Sequence, residues 1–387
     1  MKTATVTWIT YNNYGTALQA YALQKYLEKI GVDNVIISDY SIIHSTERPP
    51  ENSVKMRGRE TLVQYLLHPM RLIFKVLYGI ENWYKKCTHL PYAQSQQLFE
   101  KFKQDELKIL YGMKREDMPK LNNQFDVFIC GSDQIWSVLD YNFNGYFFLD
   151  FVTKKKISYA ASIGAEKISE QRANQIRTYL SNFSAISIRE KQSSVYLSQL
   201  LDRPVEWVAD PTLLHDAAFW TKFSKGARSP RGKYLLCYFL GKKSWYFDYA
   251  HALAKHLRLK VVLIPSWYQF AEHKSVCRHG VGPKEFVAMF RDASYVLTDS
   301  YHGSIFAMQF KKEFLHLKRF ADDDPICQNI RVNSLFSMVE LKDWIIAEKE
   351  FEPEDIRRIS YDNVSDLLRN FREKSQTYLN ENILVSE

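Results

Sequence analysis

The sequence predicts an α/β chain of two Rossmann-like domains facing a central cleft, with a helical insertion in the first domain. Three observations predict it. Strand-like and helix-like runs alternate in two successive series. A stretch rich in Gly, Ser, Pro and charge, residues 223–233, separates the series as a linker would. The length, 387 residues, exceeds what one ordinary core holds. The expected domains are 1–222, interrupted by the insertion at about 45–120, and 234–354, followed by a helical tail over 355–387.

In the first series, Thr3 to Thr10 alternates polar and apolar residues as a strand does. Ala17 to Ile30 follows helical spacing, with Leu18, Tyr21, Ala22 and Leu27 on one side, and Gly31 ends it. Val35 to Ser38 is a second strand. Strands resume at Phe125 to Cys130, then at Ile157 to Ala161, Ala185 to Ile188 and Val205 to Val208. Helices at about Ser169 to Phe183 and Glu190 to Leu201 separate the last three. In the second series Tyr234 to Leu240, Lys260 to Ile264 and Tyr295 to Thr298 read as strands. Trp245 to Leu257 and Pro283 to Arg291 read as helices, and Asp355 to Asn380 as a long terminal one.

Composition narrows the function classes. Hydrophobic residues at 46% and charged residues at 25% describe a globular chain. The alternating start does not read as a signal peptide. The longest apolar candidate, Leu62 to Ile80, is broken by His68, Pro69, Arg71 and Lys75. Five cysteines without a C-x-x-C pair point to a reduced, cytoplasmic setting and no metal site of the usual spacing. No H-E-x-x-H, G-x-G-x-x-G or Walker motif supports nicotinamide or ATP chemistry. The formal charge of +8 concentrates between Lys55 and Leu90. No nucleic-acid motif accompanies it. There Leu62, Leu66, Ile73, Leu77, Ile80 and Tyr84 recur at helical spacing among Arg71, Lys75, Lys85 and Lys86. That pattern suits a face resting on an anionic membrane, or a helical pair packed on the body and interrupted at Pro69.

Ligands of such sheets bind beyond the carboxyl ends of strands, so the polar post-strand loops are the candidates. Asn12, Asn13 and Gly15 lead from the first strand into a helix, either as an anion or carbonyl site or as a plain capped turn. Gly131, Ser132, Asp133 and Trp136 follow the third strand. The Gly permits close approach, the polar groups suit hydroxyls, and Trp136 serves as a sugar platform or as core. Arg189 at a strand end can grip a carboxylate or phosphate, or pair with Glu190. His302, in Thr298-Asp299-Ser300-Tyr301-His302-Gly303, stands near a helix N-terminus with a pKa suited to carrying protons near neutrality, unless it is structural. Asp210 before Pro211 reads as a chain-reversal element.

The ordered set Asn12 to Ala20, Gly131 to Trp136, Ser187 to Glu190, Asp210 to Leu213 and Thr298 to Gly303 resembles the polysaccharide pyruvyl transferase family, from about residue 5 to about 320. The resemblance implies a GT-B-like fold. It also implies transfer of the pyruvyl group of phosphoenolpyruvate onto two hydroxyls of a sugar, giving a cyclic ketal and phosphate. The donor is a substrate and no cofactor is implied. The acceptor would belong to a bacterial surface polysaccharide or a lipid-linked oligosaccharide precursor. Many members carry Arg two positions before the His, where this chain has Ser300. Lys318 and Arg319 are the expected substitutes. On this reading His302 and Arg189 are catalytic, with Ser300 among the substrate contacts. Asn12, Asn13, Gly15, Gly131, Ser132, Asp133 and Trp136 face the acceptor side. The rival readings are a GT-B glycosyltransferase using a nucleotide sugar and a non-catalytic glycan-binding relative.

Overall fold

The structure, a computed structural model, describes residues 1–38, 94–138, 143–265, 277–278, 280–324 and 326–384. Most of the expected insertion, and with it the basic face from Leu62 to Lys86, lies outside the described residues.

The first sheet is parallel and runs β3-β2-β1-β4-β5. Its strands are β1 (Lys2–Val6), β2 (Asp33–Ile37), β3 (Ile109–Leu110), β4 (Val127–Cys130) and β5 (Lys155–Ser158). A parallel pair, β6 (Ser187–Ile188) and β7 (Glu206–Trp207), joins beyond β5 through bridges from Ile157 to Ala185 and Ala161 to Ile188. The second sheet, also parallel, runs β10-β9-β8-β11-β12-β13. Its members are β8 (Tyr234–Tyr238), β9 (Lys260–Ile264), β10 (Cys277–Arg278), β11 (Tyr295–Thr298), β12 (Phe314–Leu317) and β13 (Ile345–Ile346). In each sheet the first strand lies inside, with the second and third on one side and later strands on the other. That order creates a switch point at the carboxyl ends of β1 and β4, and another at β8 and β11. β4, β8, β11 and β12 are buried along their whole length, as parallel strands covered on both faces must be.

α1 (Tyr14–Lys29) follows β1, and residues 94–106 form α2. Then come α3 (Glu170–Leu180), α4 (Lys191–Leu201), α5 (Ala217–Phe223), α6 (Trp245–Leu257) and α7 (Pro283–Asp292). α8 (Tyr301–Gln309), α9 (Asn329–Met338) and α10 (Tyr361–Leu384) complete the set. Two departures from expectation concern the insertion and the tail. β3 falls inside the region read as a helical insertion, where Ile109 and Leu110 pair with Ile36 and Ile37. The terminal helix begins later than Asp355, because Asp355 accepts hydrogen bonds from Glu352 N and Tyr249 Oη and so closes a separate turn.

That last helix is not a loose tail. It crosses back to the first domain, where Tyr378 Oη donates to Ser158 O (2.9 Å) and Ser375 Oγ accepts from Ala209 N (2.8 Å). Leu379 and Ile383 bury against Leu23, Tyr26 and Ile157. The two domains also share apolar surface directly. The Tyr14 ring stacks on Phe286 with centroids 4.5 Å apart, and its hydroxyl donates to Val281 O. One continuous cluster runs from Ile9, Tyr14 and Leu18 to Tyr238, Phe286 and Ile305. These contacts hold the cleft walls in fixed register.

Candidate active site

A cavity of about 540 Å³ opens between the domains at the two switch points. Asn13, Thr16, Asp133 and Gln134 line it from the first domain. Gly241, Ser300, Tyr301, His302, Arg319 and Arg331 line it from the second.

His302 sits in the first turn of α8 and is only 7% exposed. Ser300 caps that helix, its hydroxyl accepting from Gly303 N at 3.3 Å, so the turn is set by the sequence Ser-x-x-Gly itself. The imidazole reaches across the domain boundary. Its Nε2 lies 3.4 Å from Asp210 Oδ2, an ion-pair distance somewhat long for a hydrogen bond. On the other side the ring lies against Gly15 in α1, where an added Cβ would fall 2.0 Å from His302 Nδ1. Gly15 is therefore present to admit the ring.

Asp210 does two things at once. Its Oδ1 accepts from Thr212 N (3.0 Å) and Thr212 Oγ1 (2.7 Å), which caps the short turn Pro211–Leu213 as the Asp-Pro pair predicts. Its Oδ2 is thereby turned to Arg189 Nη1, at 2.8 Å, and to His302. Burial opposes ionisation, but His302 and Arg189 outweigh it and hold the carboxyl well below the usual range. The carboxylate beside Nε2 fixes the direction of the ring across the domain boundary.

Arg189 is not the exposed clamp that its strand-end position suggests. Its side chain is fully buried, with Nη1 on Asp210 and Nη2 on Asp133 Oδ1 at 3.2 Å. The guanidinium also lies over the Tyr301 ring, 4.9 Å from its centroid. Burial disfavours its charge, yet Asp133 and Asp210 raise its pKa. It is a positioning residue that fixes two carboxylates. Asp133 does line the cavity; its positive φ turns the side chain there, with Oδ2 accepting from Thr16 Oγ1 at 2.7 Å. Burial works against its charge, while Arg189 and His302 lower its pKa, so it meets a hydroxyl as an acceptor.

From the second domain the cavity is lined by Lys242, Lys243 and the carboxylate Asp324, and by two arginines that form no ion pair among the described residues: Arg319, after β12, and Arg331, in the first turn of α9. The Nε of each is buried and lacks a hydrogen-bond partner. Arg331 is 8% exposed, and its Nη2 donates to Gln328 Oε1 at 2.6 Å. Burial, with Arg189 and Arg319 nearby, pulls its pKa down to about 9, which leaves it charged at neutrality.

Other expected site residues lie elsewhere. Lys318 pairs with Asp322 at 2.6 Å and does not line the cavity. Asn12 is exposed and accepts from Lys103 Nζ at 2.8 Å, whereas its neighbour Asn13 reaches the cavity as the α1 cap. Trp136 is fully buried and stacked on Phe148, with Nε1 donating to Phe147 O, so it is core and no sugar platform. Gly131 has φ +115° and presses against Tyr159 O, and the buried Ser132 hydroxyl donates to Ala160 O. Both shape the turn that presents Asp133. Asp299 behaves likewise, accepting from Leu240 N and Gly241 N and fastening the loop after β8 at the cavity rim. No group of three or more His, Cys, Asp or Glu that could hold a metal occurs among the described residues.

The two parallel sheets and the cleft between them are those of the GT-B class of transferases and epimerases. Residues 13–319 match the family model for polysaccharide pyruvyl transferase, and the chain belongs to that family. The fold is similar to the Listeria monocytogenes structure assigned as a UDP-N-acetylglucosamine 2-epimerase. That likeness has a TM-score of 0.50 and 11% identity over 97% of this chain and 90% of that one. The Neisseria meningitidis UDP-GlcNAc 2-epimerase gives a TM-score of 0.48 and 12% identity over 99% and 100% of the two chains. The glycosyltransferase VinC gives 0.45 and 12% over 99% of each. At these identities the likeness concerns the fold alone. A search of curated proteins returns no match.

Proposed function

We propose that the chain transfers the pyruvyl group of phosphoenolpyruvate to two hydroxyls of a sugar, releasing phosphate. The acceptor is a bacterial surface polysaccharide or its lipid-linked precursor, met in the cytoplasm. The observation that carries the reading is the inter-domain contact of His302 Nε2 with Asp210 Oδ2 at the wall of a cation-lined cavity.

The chemistry asks for what these residues offer. The enol methylene carbon must gain a proton, which leaves positive character at the carbon bearing phosphate. A sugar hydroxyl then adds there and loses its proton. The C–O bond to phosphate breaks, and phosphate takes a proton as it leaves. The second hydroxyl adds, loses its proton and closes the ketal. Two protons are lost from oxygen and two are gained, one on carbon and one on phosphate. His302 carries protons, Asp210 orients it and offsets its charge, and Asp133 with Asn13 and Thr16 receives the acceptor hydroxyls. The guanidinium groups of the second domain face the donor's negative charge.

The test is incubation of the full chain with phosphoenolpyruvate and a panel of lipid-linked sugars, read by phosphate release and by mass. A pyruvyl ketal on one acceptor supports the reading. Sugar transfer from a nucleotide sugar in its place, or acceptor binding without phosphate release, contradicts it.

A further inference from the structure

We infer that a second cavity, in the first domain and lined by Tyr111, Lys103 and Glu100, is a subsite for a further uncharged sugar of the acceptor, which is therefore an oligosaccharide laid across the turn Thr10 to Asn13. That the sugar belongs to the acceptor rests on the pyruvyl-transfer reading, but the sugar site itself does not.

The cavity holds about 330 Å³, within the range of roughly 300–1,000 Å³ that small-molecule sites occupy. It lies at the carboxyl ends of β1, β2 and β3, the end of the sheet at which such folds bind ligands. Ile9 and Thr10 follow β1, Ser38 follows β2, and Tyr111 and Gly112 follow β3. One short turn separates it from the inter-domain cavity. Thr10 lines the one and Asn13 the other, and between them Asn13 N donates to Tyr11 O at 2.9 Å. The pair Asn12-Asn13 is divided accordingly, with Asn12 turned to Lys103 and Asn13 to the inter-domain cavity.

The lining selects the chemistry of the ligand. Lys103 is 6% exposed, and its Nζ meets Thr10 O, Asn12 Oδ1 and Glu100 Oε1 at 3.4, 2.8 and 3.1 Å. An ammonium has three protons to donate, and all three are engaged. Glu100 also answers its charge, so the lining has one cation, one carboxylate and no surplus for a phosphate or a nucleotide. Ile109 and Tyr111 supply apolar surface beside the hydroxyls of Thr10 and Ser38 and the Glu100 carboxylate. A sugar has the matching two-sided character, with C–H groups on the ring faces and hydroxyls around the rim. Two tyrosines that packing does not bury stand here. Tyr111 is 59% exposed, and Tyr11, in the separating turn, is 54% exposed with its ring against Trp8. Among the described residues no other Tyr, Trp or Phe is exposed to this degree. A ring held at a cavity mouth with a face open to water is a platform for the apolar face of a sugar.

The probes are the sugars of the acceptor panel, one, two and three residues long, each with and without its lipid. Saturation-transfer NMR on the full chain reads binding of the lipid-free sugars, and steady-state phosphate release reads kcat/KM. Tyr111 is exposed, so replacing it leaves the fold intact. We expect the wild type to prefer the longer sugars to the single one on the order of tenfold, in binding and in kcat/KM. Tyr111→Ala should abolish that preference, Tyr111→Phe, which keeps the ring, should restore it, and Tyr11→Ala should reduce it. The same preference in Tyr111→Ala and wild type overturns the inference. So does a wild-type chain that treats one- and three-residue sugars alike or binds none of them. An effect of Tyr111→Ala confined to the lipid-linked forms also overturns it, and places the carrier lipid in this cavity instead. Length-dependent sugar binding that is lost in Tyr111→Ala, in a chain that transfers no pyruvyl group, leaves the subsite standing and removes the proposed function. Pyruvyl transfer that depends neither on Tyr111 nor on acceptor length removes the subsite and leaves the function.

Discussion

His302 and Asp210 belong to different domains, yet their side chains meet at 3.4 Å between Nε2 and Oδ2. The histidine proposed to carry protons and the carboxylate beside it are thus brought together by the docking of the two sheets. Replacing Asp210 with Asn keeps an oxygen for the Thr212 cap but removes the charge. We expect Asp210→Asn to lower turnover on the order of 10–100-fold, the usual effect of losing an orienting partner. We expect His302→Ala to lower it on the order of 10²–10⁴-fold. Steady-state phosphate release measures both. Equal turnover in Asp210→Asn and wild type contradicts the orienting role.

Gly15 tests the same geometry from the opposite side. Alanine suits a helix better than glycine, so propensity alone favours Gly15→Ala. The added Cβ, however, would lie 2.0 Å from His302 Nδ1 and must displace the ring. The prediction is a well-folded variant, by circular dichroism, with turnover reduced at least tenfold. A fully active Gly15→Ala would show that the ring position is not required.

Arg189 and Lys318 separate a buried cation from a surface one. Arg189→Met leaves Asp133 and Asp210 without their shared partner and is expected to destabilise the chain by about 3–5 kcal/mol in denaturant titration. Lys318→Ala removes a partly exposed pair with Asp322 and should cost at most about 1 kcal/mol, leaving the KM for donor unchanged. A tenfold rise in that KM would restore Lys318 to the donor contacts.

Two buried histidines set the acid side of the stability profile. Burial lowers the pKa of His215 to about 4 and that of His316 to about 3. Both are neutral when folded, while the unfolded chain takes up protons below about pH 6.5. Their stabilising contribution is complete above that pH. It is lost as pH falls through about 4 and then about 3. Melting temperature should therefore drop between pH 6.5 and 4. His215→Gln, which retains a donor for Ala22 O, should flatten that slope. Identical slopes in the variant and wild type contradict the assignment.

Much of this was legible in the sequence, because the chemistry sits where strands end. The turns holding Asn13, Asp133, Ser300 and His302 follow apolar runs bounded by Gly, Asn and Asp, and each reaches the cavity. Trp136 was misread because the chain turns back to the core within two residues of Gln134, a reversal set by Asp133 in the left-handed region rather than by any spacing. Asp210 showed its local duty through Pro211, but its partner in the other domain leaves no trace in nearby residues. Arg331 was missed because it starts a helix after a loop, away from a strand end. Its signal was there: Arg331, Ser334 and Leu335 share one helical face, and that face is buried.

The most direct measurement is pyruvyl transfer itself, by wild type and His302→Ala in parallel, with phosphoenolpyruvate and a lipid-linked sugar panel read by phosphate release and mass spectrometry. The account predicts one ketal formed per phosphate released by wild type, and a rate lower on the order of 10²–10⁴-fold in a His302→Ala protein of unchanged fold. Full-rate transfer by His302→Ala, or a wild-type chain that leaves phosphoenolpyruvate intact with every acceptor while using a nucleotide sugar, would contradict it.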